Sequence, residues 1–247
     1  KGKIKGKKKL DSDDWVYLVV RSKNDPENVY HKVRVKVTAA GESSSSKDDD
    51  DDKKSSSSLV ICIDPGHGGT DSGASYYGIN EKNVNLAIAK KLKSVLENSY
   101  GVEVHMTRDT DKSVSLTDRT DKAKDEDCDL FVSIHCNAAD STSTVGTMVF
   151  YSVKSAYAKK SLASHISSAV ASALSTSDKG AKTRASTNDA NTDYYSVIRT
   201  SAAKGIPGLI VEHGFLSNSA EAAKLNNSSY QESIAKAEAK AIYNYWQ

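Results

Sequence analysis

The sequence predicts an α/β catalytic domain, a mainly parallel twisted sheet flanked by helices, preceded by a short β-rich segment and a disordered linker. Three observations carry that expectation. Runs such as Leu59-Val-Ile-Cys-Ile and Leu130-Phe-Val-Ser-Ile are continuously apolar and β-branched, the pattern of strands buried on both faces of a parallel sheet. Such runs alternate with helical stretches from Leu59 onward, which is the order of βα units. Between Glu42 and Ser58 there is no apolar residue at all, so that stretch can bury nothing and reads as a flexible tether. The chain therefore divides into a β-rich segment (1–41), a Ser/Asp linker (42–58) and a catalytic domain (59–247).

The elements follow in order. After the lysine-rich lead Lys1 to Lys9, Trp15-Val-Tyr-Leu-Val-Val20 and Tyr30 to Val37 read as two strands around an Asn24-Asp-Pro-Glu-Asn turn. Two strands are marginal alone, so this is read as the end of an Ig-like or wall-binding module. The Asp48–Asp52 run of the linker lacks the turn glycine and final glutamate of a calcium loop. The Leu59 strand ends in Asp64-Pro-Gly-His-Gly-Gly69, a turn rich enough in glycine to reverse sharply. A helix opens at Glu81 with Val84, Ile88, Leu92 and Val95 on one face. Then come a strand near Val102 to Thr107, a helix around Val114 to Lys124, the Leu130 strand, and a strand from Thr144 to Tyr151. A helix from about Ser155 to Leu174 precedes a polar loop at 177–193, and Tyr194 to Arg199 fits strand or helix. The Leu209 strand follows, and Ser229-Tyr-Gln-Glu232 reads as a capping box opening the last helix, to Tyr245.

His67 falls just past the carboxyl end of a strand, where open α/β sheets bind ligands. Taken alone, it reads more simply as a turn histidine. Two later residues change that. Glu81 leads an apolar helix face, so its carboxylate points toward the sheet, and His135 closes a second buried-strand pattern. His67, Glu81 and His135 together make a three-ligand set that leaves a fourth tetrahedral position open, the arrangement of one catalytic Zn2+ ion. The carboxylate keeps the site hard enough for zinc and argues against copper. Hydrolysis also needs an acid/base that is not a ligand, and Leu209-Ile-Val-Glu212-His-Gly-Phe supplies Glu212. Glu212 and His213 are neighbours in an extended chain, so they face opposite ways and only one can aim at the metal. His31, His105 and His165 read as ordinary surface or packing histidines. Cys62, Cys128 and Cys136 form no paired motif; Cys62 and Cys136 read as small apolar fillers, with Cys136 turned away from the face of His135.

From Leu59 to the C-terminus the sequence resembles the zinc-dependent N-acetylmuramoyl-L-alanine amidases of type 3. The resemblance is carried by Asp64-Pro-Gly-His-Gly-Gly, Glu81 with Asn85-Leu-Ala, Thr107-Arg-Asp, Ser115-Leu-Thr-Asp-Arg119, Phe131-Val-Ser-Ile-His-Cys-Asn-Ala and Val211-Glu-His-Gly-Phe-Leu-Ser-Asn, all in that order. It implies that His67, Glu81 and His135 hold zinc and that Glu212 is the catalytic acid/base. It also implies peptidoglycan as substrate and a secreted, cell-wall location. His213 stands where the family commonly has a small or apolar residue. The elements read between His135 and Glu212 account for that spacing and leave no obvious inserted helix of the kind that plugs the site in some relatives.

Composition sets the outer limits. A net charge of +2 exerts no strong pull on nucleic acid, and no apolar run approaches the length of a membrane span. The chain begins at Lys1 without Met or a visible signal peptide, so it is read as a mature product or excised fragment, and as a monomer. Two other functions compete with the amidase: a zinc peptidase cutting within the stem peptide, and a non-catalytic wall-binding protein.

Overall fold

The computed structural model describes residues 59–247 in full and, ahead of them, the backbone of Asp14–Arg21 (β1) and Tyr30–Val37 (β2). These two strands pair antiparallel, from Asp14 opposite Val37 to Arg21 opposite Tyr30. The expected turn between them and the 42–58 tether lie outside the described residues.

The main body runs β3 (Val60–Pro65), β4 (Ser75–Tyr76), β5 (Ile79–Asn80), α1 (Glu81–Tyr100), β6 (Glu103–Met106), α2 (Leu116–Asp125), β7 (Leu130–Asn137) and β8 (Thr147–Tyr151). It continues with α3 (Lys160–Leu174), β9 (Asp178–Lys182), α4 (Ser196–Ala203), β10 (Gly208–Phe215), α5 (Ser219–Leu225) and α6 (Ser228–Tyr245). Six strands form one sheet in the order β6-β3-β7-β10-β8-β9. The first four are parallel, while β8 runs antiparallel to β10 and β9 parallel to β8. The sheet is thus mainly parallel and flanked by helices, as expected.

The pleat divides the side chains between two cores. Cys62, Phe131 and Ile210 pack with Ala123 of α2 and Val197 and Ile198 of α4 on one face. Strand alternation sends Ile61, Ile63, Val132, Ile134, Leu209 and Val211, all buried, to the opposite face. There α3 packs against α6, and Lys91 of α1 reaches Ser228 and Glu232 at the start of α6. All three cysteines are buried and unpaired, the packing role expected of Cys62 and Cys136.

The structure redraws several elements. The 177–193 stretch contains β9, a sheet edge whose polar residues face solvent and which therefore carries no apolar signature. Residues from Ser196 on are helix, not strand, and α5 was not expected. β8 starts at Thr147 and α3 at Lys160, preceded by a single tight turn at Ser155–Tyr157. On α1 the buried stripe ends on Leu96, with Val95 only half-buried, because an α-helix repeats most closely at four residues over this length. β7 and β10 run on past His135 and Glu212 to Asn137 and Phe215, with a register shift after Glu212.

The expected capping box at Ser229 is not the cap. Asn227 is: its side-chain oxygen accepts from the amides of Ser229 (2.9 Å) and Tyr230 (3.3 Å), which puts Ser229 inside the helix. Asn227→Ala should therefore cost about 1 kcal/mol and lower the thermal midpoint by roughly 2–4 °C. Ser229→Ala should shift it by less than a degree or so, and a calorimetric scan of both variants checks the pair.

Candidate active site

The carboxyl-terminal halves of three adjacent parallel strands, β3, β7 and β10, converge on one point. Glu212 lies directly opposite His135 in the β7–β10 ladder, and both sit on the face that carries Ile210 and Phe131. His67 follows β3 in the turn, and Glu81 is the first residue of α1. His67, Glu81 and His135 bring one donor atom each within 4.8 Å of one another, the group of metal-binding residue types found among the described residues. The turn and helix achieve this together. Residues 67–80 run out and back through the short β4–β5 hairpin, delivering α1 with its first carboxylate pointing inward.

Glu81 is the centre of the group. It is buried, and its Oε2 lies 3.1 Å from His67 Nε2 while its Oε1 lies 2.9 Å from His135 Nδ1. Oε1 also accepts from the Cys136 amide and the Asn85 side chain, and Oε2 from the Ala74 amide. His67 is oriented from behind by Asp71, whose Oδ2 is 2.8 Å from Nδ1, leaving Nε2 for a ligand. Donors held tetrahedrally at zinc bond lengths stand roughly 3.3 Å apart, close to the separations seen here, so the residues fit such an ion. Burial alone would hold both imidazoles below their usual pKa, but the carboxylates outweigh it. Glu81 and Asp71 lift His67 to about 9, Glu81 chiefly lifts His135, and the two histidines hold Glu81 far below the usual carboxylate range despite its burial.

Two glycines show how tightly it is packed. A Cβ on Gly66 would stand 2.2 Å from the His135 ring, and one on Gly73 would stand 2.5 Å from Glu81 Oε2. His67 itself has a left-handed backbone, φ 60°, which costs a non-glycine residue roughly 1 kcal/mol or more.

The loop's carbonyls explain how that strain is held. Arg119 donates from Nη1 to Pro65 O (2.9 Å) and Asp64 Oδ1 (2.7 Å), and from Nη2 to His67 O (2.8 Å). Arg108, fully buried, donates to Pro65 O, Gly66 O, Lys82 O and Thr110 O. Asp64 takes two further bonds, from Thr107 Oγ1 and Ser133 Oγ. Sequence reasoning singled out Thr107-Arg-Asp and the Arg119 segment but gave them no role, and it passed over Asp71 and Gly73. The available signal was the motif itself, since an arginine in an otherwise apolar α/β pattern needs several acceptors to be buried.

Glu212 stands apart from the group. Burial pushes its carboxyl pKa up, although His135 nearby opposes the shift, and its Oε2 is buried with no hydrogen-bond partner among the described residues. It lines a cavity of about 460 Å³ together with His67 and His135, walled by Val114, Leu116, Val197 and Ile210. His213 faces the other way: fully buried, its Nδ1 is 3.0 Å from His135 O and its Nε2 3.1 Å from Glu238 Oε2 of α6. The remaining described histidines lie elsewhere, His105 between Glu103 and Glu126 and His165 exposed on α3.

The family model described as N-acetylmuramoyl-L-alanine amidase matches residues 61–244. The chain belongs to this family. Similar proteins include the N-acetylmuramoyl-L-alanine amidase LytC of Bacillus subtilis, 38% identical over 75% of this chain and 35% of that protein. A sporulation-specific N-acetylmuramoyl-L-alanine amidase of the same organism is 37% identical over 74% of this chain. The chain spans about a third of the length of the first and 66% of the second. Among solved structures, the catalytic domain of CwlV from Bacillus (Paenibacillus) polymyxa var. colistinus aligns with TM-score 0.66 at 33% identity, covering 76% of this chain and 98% of that one. Cwp6 from Clostridium difficile aligns with TM-score 0.71 at 33% identity, over 78% of this chain and 30% of that one.

The Asp64–Arg119 pair is the strut of this amidase-family loop. Asp64→Ala should strip a buried guanidinium of its only carboxylate partner among the described residues and destabilise the domain by about 3–5 kcal/mol. Chemical denaturation of the variant checks this; a loss under 1 kcal/mol would mean that the carbonyl bonds alone hold Arg119.

Proposed function

We propose that the chain is a zinc-dependent hydrolase of peptidoglycan that cleaves the amide between the lactyl group of N-acetylmuramic acid and the L-Ala of the stem peptide. The observation that carries the reading is Glu212, a half-buried residue whose Oε2 is buried without a hydrogen-bond partner among the described residues, standing in the same cavity as His67 and His135. Family membership and the printed names of the relatives support the choice of bond. They also support the cell wall as the place of action.

His67, Glu81 and His135 would hold the zinc. When bound, the ion supplies Lewis acidity, polarising an amide carbonyl and making water acidic near neutral pH. Glu212 accepts a proton from the attacking water through its unpartnered oxygen and returns one to the departing amine of L-Ala. Asp71 keeps the His67 ring in the tautomer that leaves Nε2 unprotonated for the metal. The apolar walls of the cavity exclude bulk water from the reacting amide.

The ligand assignment predicts that His67→Ala loses bound metal and amide cleavage together, as does treatment with a chelator, with zinc restoring activity only to the parent. Zinc content measured beside activity checks it, and a variant that keeps full zinc content would refute the assignment. The acid/base assignment predicts that Glu212→Gln keeps the metal but loses roughly two to four orders of magnitude in turnover. His213→Ala should cost well under tenfold in turnover and show its effect in thermal stability, since it empties a buried polar site beside Glu238. The bond itself is read by mass analysis of digested peptidoglycan. An amidase exposes new L-Ala amino termini, whereas a peptidase within the stem exposes other residues.

A further inference from the structure

Beyond the metal group, the cavity has one wall whose chemistry the hydrolytic step does not use. Tyr195 lines it, on the same cavity as Glu212 and against Ser196 and Val197 of α4. The Arg184 guanidinium sits 3.7 Å from the centre of the Tyr194 ring and 5.7 Å from that of Tyr195. Arg184 has no carboxylate partner among the described residues, unlike the Arg119 and Lys82 cations that brace the site. Its planar face is spent on Tyr194, while its exposed N–H edge remains available for a two-pronged contact.

The segment that presents it is fixed. Arg184 O accepts from the Tyr194 amide at 2.9 Å, and Ala185 bridges Asp193 across the same short loop. Asp193 is buried and takes bonds from Ser152 Oγ and the Val153 amide, both 2.7 Å, which anchor the loop to the end of β8. Arg199 Nη1 clasps the carbonyls of Asp193 and Tyr194. Little ordering is left for a ligand to impose on this guanidinium.

We infer that Arg184, seated on Tyr194 beside Tyr195, is the position that binds a carboxylate of the stem peptide and so directs the peptide, rather than the glycan, along this wall. The inference rests on the amidase reading. The glycan side of the substrate, with its acetamido and hydroxyl groups, is neutral, whereas the free carboxylates belong to the peptide beyond L-Ala. A fixed cation beside the reaction cavity is therefore complementary to only one half of the substrate. The Tyr195 hydroxyl, on the same wall, has a proton to donate to that carboxylate or to a stem amide.

The test compares soluble muropeptides whose stem carboxylates are free with the same compounds converted to primary amides, using the full chain loaded with zinc. The wild type should favour the free-carboxylate form by roughly two- to fivefold in kcat/KM, the gain lying in KM, because a contact equal in ground and transition states lowers KM alone. Arg184→Gln should reduce that ratio to about one, and Arg184→Lys should keep part of it, as a charge without the fork. The preference should also shrink as salt rises, since the group is exposed. A wild type with no preference, or an Arg184→Gln variant that retains it, overturns the inference. A wild type that cleaves neither form strikes the amidase reading instead, and a variant with an unchanged melting temperature and zinc content excludes a folding effect.

Discussion

The site depends on two buried arginines that hold a loop by its carbonyl oxygens. The turn after β3 must carry His67 inward on a left-handed backbone, which directs the carbonyls of Pro65, Gly66 and His67 away from any regular ladder. A buried carbonyl without a donor costs as much as a lost hydrogen bond, and three in sequence would open the turn. Arg108 and Arg119 supply donors in rigid forks, and Asp64 neutralises Arg119 where water cannot. Burying these charges is costly, yet each guanidinium is met by several acceptors, the condition under which burial is tolerated. The grouping of His67, Glu81 and His135 is a consequence of that frame. With the loop held, the Glu81 carboxylate can stand between two imidazoles at hydrogen-bond distance.

The sheet sorts the chemistry by its two-residue period. Even-numbered positions of β10 place Ile210 and Glu212 on the cavity face, and odd-numbered ones place Leu209, Val211 and His213 in the opposite core. The same period separates His135 from Cys136 on β7. His213 uses its buried position to join three elements, bonding the His135 carbonyl of β7 and the Glu238 carboxylate of α6 from its place on β10. It lies beside the register shift, where the regular ladder between β7 and β10 is interrupted, and its ring supplies a polar contact there. A histidine at this position is thus accounted for by packing and hydrogen bonding on the face away from the reaction.

The cavity face also divides by character. Apolar side chains from the start of α2 and from α4 make one part, and the Arg184, Tyr194 and Tyr195 cluster lies beside another. On the proposed reading, a substrate that is neutral sugar at one end and charged peptide at the other meets two kinds of wall. Selectivity on that reading follows from where the loops that carry β9 and α4 place their polar groups, while His135 and Glu212 stay on the sheet.

The sequence by itself determined the parallel sheet, because fully buried strands read as unbroken apolar runs, and it determined His67, Glu81, His135 and Glu212 as the residues to watch, because each closes or opens such a run. It determined that Glu212 and His213 must part company, since an extended chain alternates. Only the tertiary structure decided which of the two faces the cavity, because the faces differ by what packs on them and no local pattern states that. Asp71, Arg108, Arg119 and Gly73 were legible as motif letters at most. Their work depends on atoms 4 to 55 residues away in the chain, as in the Asp71 bond to His67 and the Arg119 bond to Asp64. The edge strand β9 was invisible for a related reason: its pairing uses backbone alone, and its polar side chains look like loop until a neighbour is there to bond them.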